Sequence, residues 1–160
     1  MESLYTWLEA LSVSTFIRES NSLWAFPMFL FAHTLGMSIV AGGSSLIDLA
    51  LLGFWPRGLP VKPLEKLYPM MWLGFWINLV TGSVLLVADA SSRLTNPDFW
   101  VKMVCVFVGV WVLYVMRKRV FGHPERDRSP VPRDAKVLAC VSLACWFGAI
   151  MTGRLLAYTS

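Results

Sequence analysis

The sequence predicts an all-α integral membrane protein, a four-helix bundle with a short amphipathic interfacial helix at its N-terminus. Composition indicates the membrane, because 56% of the 160 residues are hydrophobic and only 15% are charged, whereas soluble domains have about 25% charged residues. Four apolar segments are long enough to cross a hydrocarbon core, which needs about 20 helical residues. They predict a single transmembrane domain over residues 1–160, with spans at about 23–53, 67–88, 99–116 and 137–158.

The segment before the first span, at about 3–18, predicts the interfacial helix. Leu4, Trp7, Leu8 and Leu11 recur at helical spacing, and the acidic residues nearby lie off this stripe. Such a helix would lie on the outer membrane surface. The alternative is a helix packed on a partner subunit.

Helix signals refine the spans. The first is about 31 residues and about 46 Å long, too long for a perpendicular span, so it must tilt, protrude or bend, with Gly42 and Gly43 as the expected weak point. Asn96 predicts an N-cap for the third span, with Pro97 at its first helical position. Asp134 predicts the cap of the fourth span. The three cysteines fall within apolar runs and are expected to be small buried hydrophobic residues.

The basic residues indicate an orientation. Of 14 Lys and Arg residues, ten fall in the two loops after spans one and three, and four fall on the other side. Basic loops stay in the cytoplasm, which predicts a bacterial inner-membrane protein with both termini in the periplasm. The net charge of +4 does not indicate a nucleic-acid partner, because the basic residues cluster in these loops. The ten are Arg57, Lys62, Lys66, Arg117, Lys118, Arg119, Arg126, Arg128, Arg133 and Lys136.

Ionisable side chains inside a span are costly and usually face the bundle interior, each with a partner. His33 falls near the middle of the first span, and Asp48 lies on the same helix face near the cytoplasmic end. Asp48 is expected to pair with the basic run at 117–119. Asp89 and Arg154 fall at similar depth at the outer ends of spans two and four, which predicts an ion pair. The alternative is that both reach the headgroups separately.

Span two has a face of small and polar residues. Gly74, Asn78 and Gly82 share it, so the glycines would admit a close neighbour and Asn78 could hydrogen-bond across helices. His33 then has two interpretations. It could hydrogen-bond to Asn78 or to a hydroxyl such as that of Thr81, as part of the packing.

The second interpretation makes His33 an axial ligand of a b-type haem or another tetrapyrrole, because histidine is a common ligand of that kind. Gly36, with Gly42 and Gly43, would let a flat macrocycle approach the backbone. A Cu(I) site with Met28 and Met37, or proton handling, are weaker alternatives.

The second axial ligand is the difficulty for the haem hypothesis. The other histidine, His123, falls in a basic loop at a different depth, so two histidines of one chain are not expected to share a haem. A methionine, five-coordinate iron or a ligand from another subunit are the alternatives. The methionines considered are Met70, Met71, Met103, Met116 and Met151.

Three motifs resemble a bacterial family of small four-span inner-membrane proteins of unknown function. They are "HTLG" at 33–36, "DLALLG" at 48–53 and "GRLLAY" at 153–158, matching H-x-L-G, D-L-x-L-L-G and G-R-x-x-A-Y over most of the chain. The family also has a Lys opening the third span, where Lys102 fits. Many members have a histidine near the end of that span, and here Met116 stands close to the place. The resemblance implies no known enzyme activity, and it strengthens the view that His33, Asp48 and Arg154 are not incidental.

Three functions fit these patterns. The first is a subunit of a respiratory or photosynthetic-type redox complex, holding haem through His33 and passing electrons between a quinone and a periplasmic redox protein. The second is a cofactor-free membrane anchor or assembly subunit, alone or as a homo-oligomer. The third is a metal-ion or proton transporter, which the single midplane histidine and the lack of a repeat disfavour. With almost no extramembrane mass, a non-catalytic or electron-transfer subunit is expected rather than a stand-alone enzyme.

Overall fold

The structure is a computed structural model that describes residues 25–56, 61–122 and 131–159. All regular secondary structure within these ranges is helical, which confirms the all-α class. The predicted interfacial helix at about 3–18 lies outside the described residues, as does His123.

Five α-helices form the described part of the chain. They are α1 (Ala25–Leu49), α2 (Leu67–Ala88), α3 (Ala90–Thr95), α4 (Pro97–Met116) and α5 (Arg133–Thr159). A 3-10 turn precedes α2 at Lys62–Lys66, and π-helical turns extend α1 at Ala50–Phe54 and α4 at Arg117–Phe121.

Four stretches are long and apolar enough to cross a membrane, which makes the chain a multi-pass membrane protein. They are Pro27–Phe54, Lys62–Ala88, Pro97–Phe121 and Arg133–Leu156. Large apolar side chains such as Phe31, Trp76, Phe107 and Phe147 point outward and are 58–69% exposed. An exposed apolar surface of this kind suits contact with lipid acyl chains.

The first helix does not change geometry where the sequence predicts a weak point. α1 runs without interruption through Gly42 and Gly43, because Val40, Ala41 and Ser44 are buried there against the rest of the bundle. The departure from α-helical geometry comes later, in the π-helical turn, where Gly53 has φ of 104°. This left-handed conformation ends the helix and suits glycine.

Of the two helix caps that the sequence predicts, Asn96 and Asp134, the structure confirms the first. Asn96 caps α4 as predicted, since its side-chain oxygen accepts a hydrogen bond from the backbone N–H of Asp98 at 2.9 Å and Pro97 follows at the first helical position. α5 begins at Arg133, so the prediction that Asp134 caps it is wrong. The carbonyl of Pro132 instead accepts the first bond, from Ala135 N–H at 3.1 Å, and Asp134 lies in the first turn.

The helices pack as two antiparallel pairs, α1 with α2 and α4 with α5, and α1 also packs on α5. The main core lies toward the end of the bundle where α1 and α4 finish and α2 and α5 begin. We call this the basic end, because it carries Lys62, Lys66, the basic run at 117–119, Arg133 and Lys136. Its buried centre includes Ile47, Leu51, Leu64, Tyr68, Met71, Leu113, Met116 and Ala139.

The cysteines contribute less to the core than expected. Cys140 is exposed on the outer face of α5, and Cys105 and Cys145 are partly buried. The apolar runs that contain them therefore face lipid as much as they face the bundle.

Candidate functional site

His33 lies on the side of α1 that faces α2, and it is partly buried. Its Nδ1 is 3.1 Å from the hydroxyl oxygen of Thr81 on α2. That hydroxyl in turn donates to the carbonyl of Ile77 at 2.6 Å. The structure therefore confirms Thr81 as the hydrogen-bond partner of His33.

This pair of hydrogen bonds fixes the proton on the neutral imidazole. The hydroxyl hydrogen of Thr81 is committed to Ile77, so the Thr81 oxygen accepts and Nδ1 of His33 is the donor. The lone pair of a neutral ring then lies on Nε2. Metal-ligating histidines are commonly held in this way, with one ring nitrogen anchored and the other free to coordinate.

The small residues of α2 admit the ring, as the sequence predicts. A Cβ on Gly82 would lie 2.9 Å from Cε1 of His33, so any larger residue there would displace the imidazole. One helical turn before Gly82 on α2, the Asn78 amide donates to the sulfur of Met37 at 3.5 Å. Asn78 thus hydrogen-bonds across the two helices, while its side-chain oxygen is buried and has no partner within the described residues.

Two cations lie near His33. Lys102 and Arg93 are both close enough to interact with it electrostatically. Lys102 is partly buried at the start of α4, and its Nζ is 3.5 Å from where a Cβ of Gly153 would lie. The Lys and Gly of the matching motifs in spans three and four are therefore neighbours.

The glycines of α1 do not form the open approach expected for a macrocycle. A Cβ on Gly36 would lie 2.8 Å from the carbonyl oxygen of Gly74, and one on Gly43 would lie 2.8 Å from the side chain of Met71. Both positions are thus filled by α2. Gly42 alone of the three faces open space.

A second polar group, which we call the Asp48 cluster, joins α1 to α5 through Ser44, Asp48, Ser142 and Trp146. All four side chains are at most 2% exposed. The Trp146 indole N–H donates to the Ser44 oxygen at 3.0 Å, the two serine oxygens are 3.1 Å apart, and the Ser44 hydroxyl is 3.3 Å from Oδ2 of Asp48. The other carboxyl oxygen, Oδ1, is buried without a hydrogen-bond partner among the described residues.

The cluster corrects the predicted partner of Asp48. The side chains of the basic run at 117–119 are exposed, and Asp48 is hydrogen-bonded within the core. Arg117 instead lies over the ring of Tyr68, with 5.5 Å between the guanidinium carbon and the ring centroid. The basic side chains reach outward because water, not the core, solvates their charge.

The predicted pair of Asp89 and Arg154 is also wrong. Asp89 forms an ion pair with Arg93, one turn further along the chain, with Nε–Oδ2 at 3.4 Å. Arg154 is exposed. The short helix α3 explains the difference, because it places Arg93 one helical turn after Asp89 and within reach of its carboxylate.

Met116 and His33 lie in different parts of the bundle. Met116 is in the core at the basic end with Ile47, and His33 lies 14 residues, or about 21 Å, from Ile47 along α1. The structure therefore does not bring them together as two axial ligands. Within the described ranges, no three His, Cys, Asp or Glu residues are grouped to hold a metal ion.

Sequence reasoning missed most of the Asp48 cluster. Ser142 and Trp146 were not singled out, nor was Tyr68, which is 1% exposed and has a buried hydroxyl without a partner in the described part of the chain. One signal was present: Ser44 with Asp48, and Ser142 with Trp146, are both spaced by four inside apolar spans. That spacing puts each pair on one helix face.

Four apolar spans with polar contacts buried between them define a small multi-pass membrane protein. Residues 7–159 match the model of a family described as "Family of unknown function (DUF6644)". The chain belongs to that family. No curated protein and no solved structure matches it.

Proposed function

We propose that this protein is a small subunit of a redox membrane complex, in which His33 ligates the iron of a b-type haem or a related tetrapyrrole. The hydrogen bonds from His33 to Thr81 and from Thr81 to Ile77 carry the proposal. They anchor one ring nitrogen and leave the lone pair of the other for a metal.

The surroundings of His33 support a tetrapyrrole more than a bare metal ion. No group of three His, Cys, Asp or Glu residues, such as a zinc site would need, lies among the described residues. Lys102 and Arg93 interact electrostatically with the ring, and cations at that place would suit the two propionates of a haem. When bound, the haem would supply one-electron chemistry between a quinone and a redox protein.

The second axial ligand comes from outside this chain in our proposal. Met116 lies elsewhere in the bundle, and His33 is only partly buried. A second copy of the chain would supply a second His33, and another membrane subunit is the alternative source. One haem for every two chains is expected in the first case and one haem for each chain in the second.

The proposed setting is a bacterial inner membrane, with the basic end in the cytoplasm. The positive-inside rule supports this orientation. The end that holds His33, Lys102 and Arg93 would then lie toward the periplasm, on the side of a periplasmic redox partner.

Absorption spectroscopy of the purified protein tests the proposal. Dithionite-reduced protein, expressed with ample haem supply, should show sharp visible bands that His33→Ala abolishes. The matched control is His123→Ala, which removes the other histidine and should leave the bands intact. Thr81→Val should lower haem affinity about 10–100-fold, since loss of such supporting hydrogen bonds has effects of that size.

A folded but colourless wild-type protein after incubation with excess hemin would overturn the proposal, as would bands that survive His33→Ala. Circular dichroism of each variant separates lost pigment from lost fold. Either contrary result would favour the second candidate, a cofactor-free membrane anchor. The packing of α2 onto Gly36 and Gly43 favours that candidate, because those glycines already have a structural role.

A further inference from the structure

The Asp48 cluster places a carboxyl group in the core of the bundle, with no positive partner among the described residues. Asp48 is 0% exposed, as is Ser142, and Ser44 and Trp146 are 2% exposed. Burying a carboxylate away from water is costly unless the charge is paired and fully hydrogen-bonded. A charged Asp48 would therefore need other groups nearby to stabilise its carboxylate.

The hydrogen bonds available are too few for an anion. A carboxylate can accept about four hydrogen bonds. The indole N–H of Trp146 is used on Ser44, so only the two serine hydroxyls remain as donors in the cluster. The Ser44 hydroxyl reaches Oδ2, the Ser142 hydroxyl also interacts with the carboxyl, and Oδ1 receives no hydrogen bond from the described residues.

The titratable and charged groups near the cluster do not supply the missing hydrogen bonds or a positive charge in contact with Asp48. Tyr68 on α2 interacts electrostatically with Asp48, and its own buried hydroxyl has no partner among the described residues. Beyond it, Arg117 faces the ring of Tyr68, and Glu65 in the turn before α2 adds a negative charge. From α5, the side chains in the cluster are the uncharged Ser142 and Trp146.

The geometry points to Asp48 as a proton-binding site, reached from the basic end of the bundle past Tyr68. A proton taken from water binds a carboxyl oxygen of Asp48 and converts the carboxylate to a neutral acid. Release returns the proton to water and restores the anion, and no electron moves. The polar atoms of the cluster lie 3.0–3.3 Å from one another, within hydrogen-bond reach.

The neutral acid adds a hydrogen-bond donor to the cluster. Its O–H can donate from Oδ2 to the Ser44 oxygen, and the Ser44 hydroxyl can then donate to Ser142. The contacts are already at hydrogen-bond distance, so protonation requires only that hydroxyl hydrogens rotate. The site lies about 22 Å along α1 from His33, so the proposal does not depend on haem binding there.

Infrared spectroscopy tests this site directly. Detergent-purified wild-type protein at neutral pH should show the carbonyl stretch of a protonated carboxyl, about one per chain, that shifts in heavy water. Asp48→Asn should remove the band while leaving the thermal unfolding temperature close to that of the wild type, because an amide resembles the neutral acid. Asp89→Asn is the matched control, since Asp89 is partly exposed and paired with Arg93, and it should keep the band.

Two further variants keep the test decisive if Asp48→Asn folds poorly. Ser44→Ala should shift the frequency of the band, because it removes a hydrogen-bond partner of the carboxyl. Tyr68→Phe should change the rate of its hydrogen–deuterium exchange at least severalfold. Absence of the band in folded wild-type protein would overturn the proposal, and so would a sodium-dependent unfolding temperature that Asp48→Asn abolishes, which would make the ligand a metal cation.

Discussion

Gly36 on α1 and Gly74 on α2 face each other so closely that neither position has room for a side chain. A Cβ on Gly36 would lie 2.8 Å from the carbonyl oxygen of Gly74, and a Cβ on Gly74 would lie 3.0 Å from that of Gly36. Small residues at such a crossing let two membrane helices make close van der Waals contact. This contact sets the spacing at which His33 reaches Thr81, two turns further along α2.

Gly36→Ala should destabilise the protein by about 1–3 kcal/mol, the usual cost of overpacking. The new methyl group would meet backbone atoms of Gly74 and Asn78, which cannot move aside as a flexible side chain can. Equilibrium unfolding in mixed detergent micelles measures the change. Gly42→Ala is the control, because a Cβ there meets nothing within 4 Å, and it should be neutral or slightly stabilising. Equal effects at the two positions would contradict the packing role of Gly36.

Gly53→Ala should cost about 1–2 kcal/mol through backbone strain alone. Gly53 has φ of 104°, a conformation that carries a penalty of that order for residues with a Cβ. A Cβ there would meet no atom within 4 Å, as at Gly42, so the difference between the two variants isolates the backbone term. The same unfolding assay applies, and an unchanged free energy of unfolding would mean that the chain can leave α1 in another conformation.

Ser44→Ala should lower the free energy of unfolding by about 1–3 kcal/mol, because it leaves the buried Trp146 N–H without its acceptor. It also removes a hydrogen-bond partner of Asp48 and Ser142. Ser83→Ala is the matched control: Ser83 is exposed and bonds only to the carbonyl of Leu79 on its own helix, at 2.8 Å. Its effect should stay within about 0.5 kcal/mol. If both variants behave alike, the cluster does not stabilise the α1–α5 contact.

Cysteine labelling tests the proposed orientation. In a variant without the three native cysteines, Lys66→Cys at the basic end should react with a membrane-impermeant maleimide only after the cells are permeabilised. Thr95→Cys, at the opposite end, should react in intact cells. Both native side chains are exposed, so burial does not bias the comparison. The reverse pattern would place the basic end outside, against the positive-inside rule. The cysteines to replace are Cys105, Cys140 and Cys145.

The sequence alone determined the class of protein and the local helix signals. Long apolar segments can span a membrane only as helices or closed barrels, because every backbone polar group in lipid must be paired. Composition and span length therefore sufficed for the four spans. Asn96 was predictable as a cap because capping depends on residues that are adjacent in the chain. Thr81 was predictable as a partner of His33 because both fall at similar depth in antiparallel spans.

Tertiary structure decided which helix faces meet and therefore which polar groups are joined. The sequence predicted that Asp48 pairs with the basic run at 117–119, which falls at the same end of the bundle. The packing of α1 on α5 instead places it in a cluster with Ser142 and Trp146. Asp89 was assigned across the bundle, but the unpredicted helix α3 supplies Arg93. Periodicity shows that two residues share a face of their own helix, but rotation of one helix against another is set by packing between them. That packing, unlike helix length and capping, is not a property of any one segment.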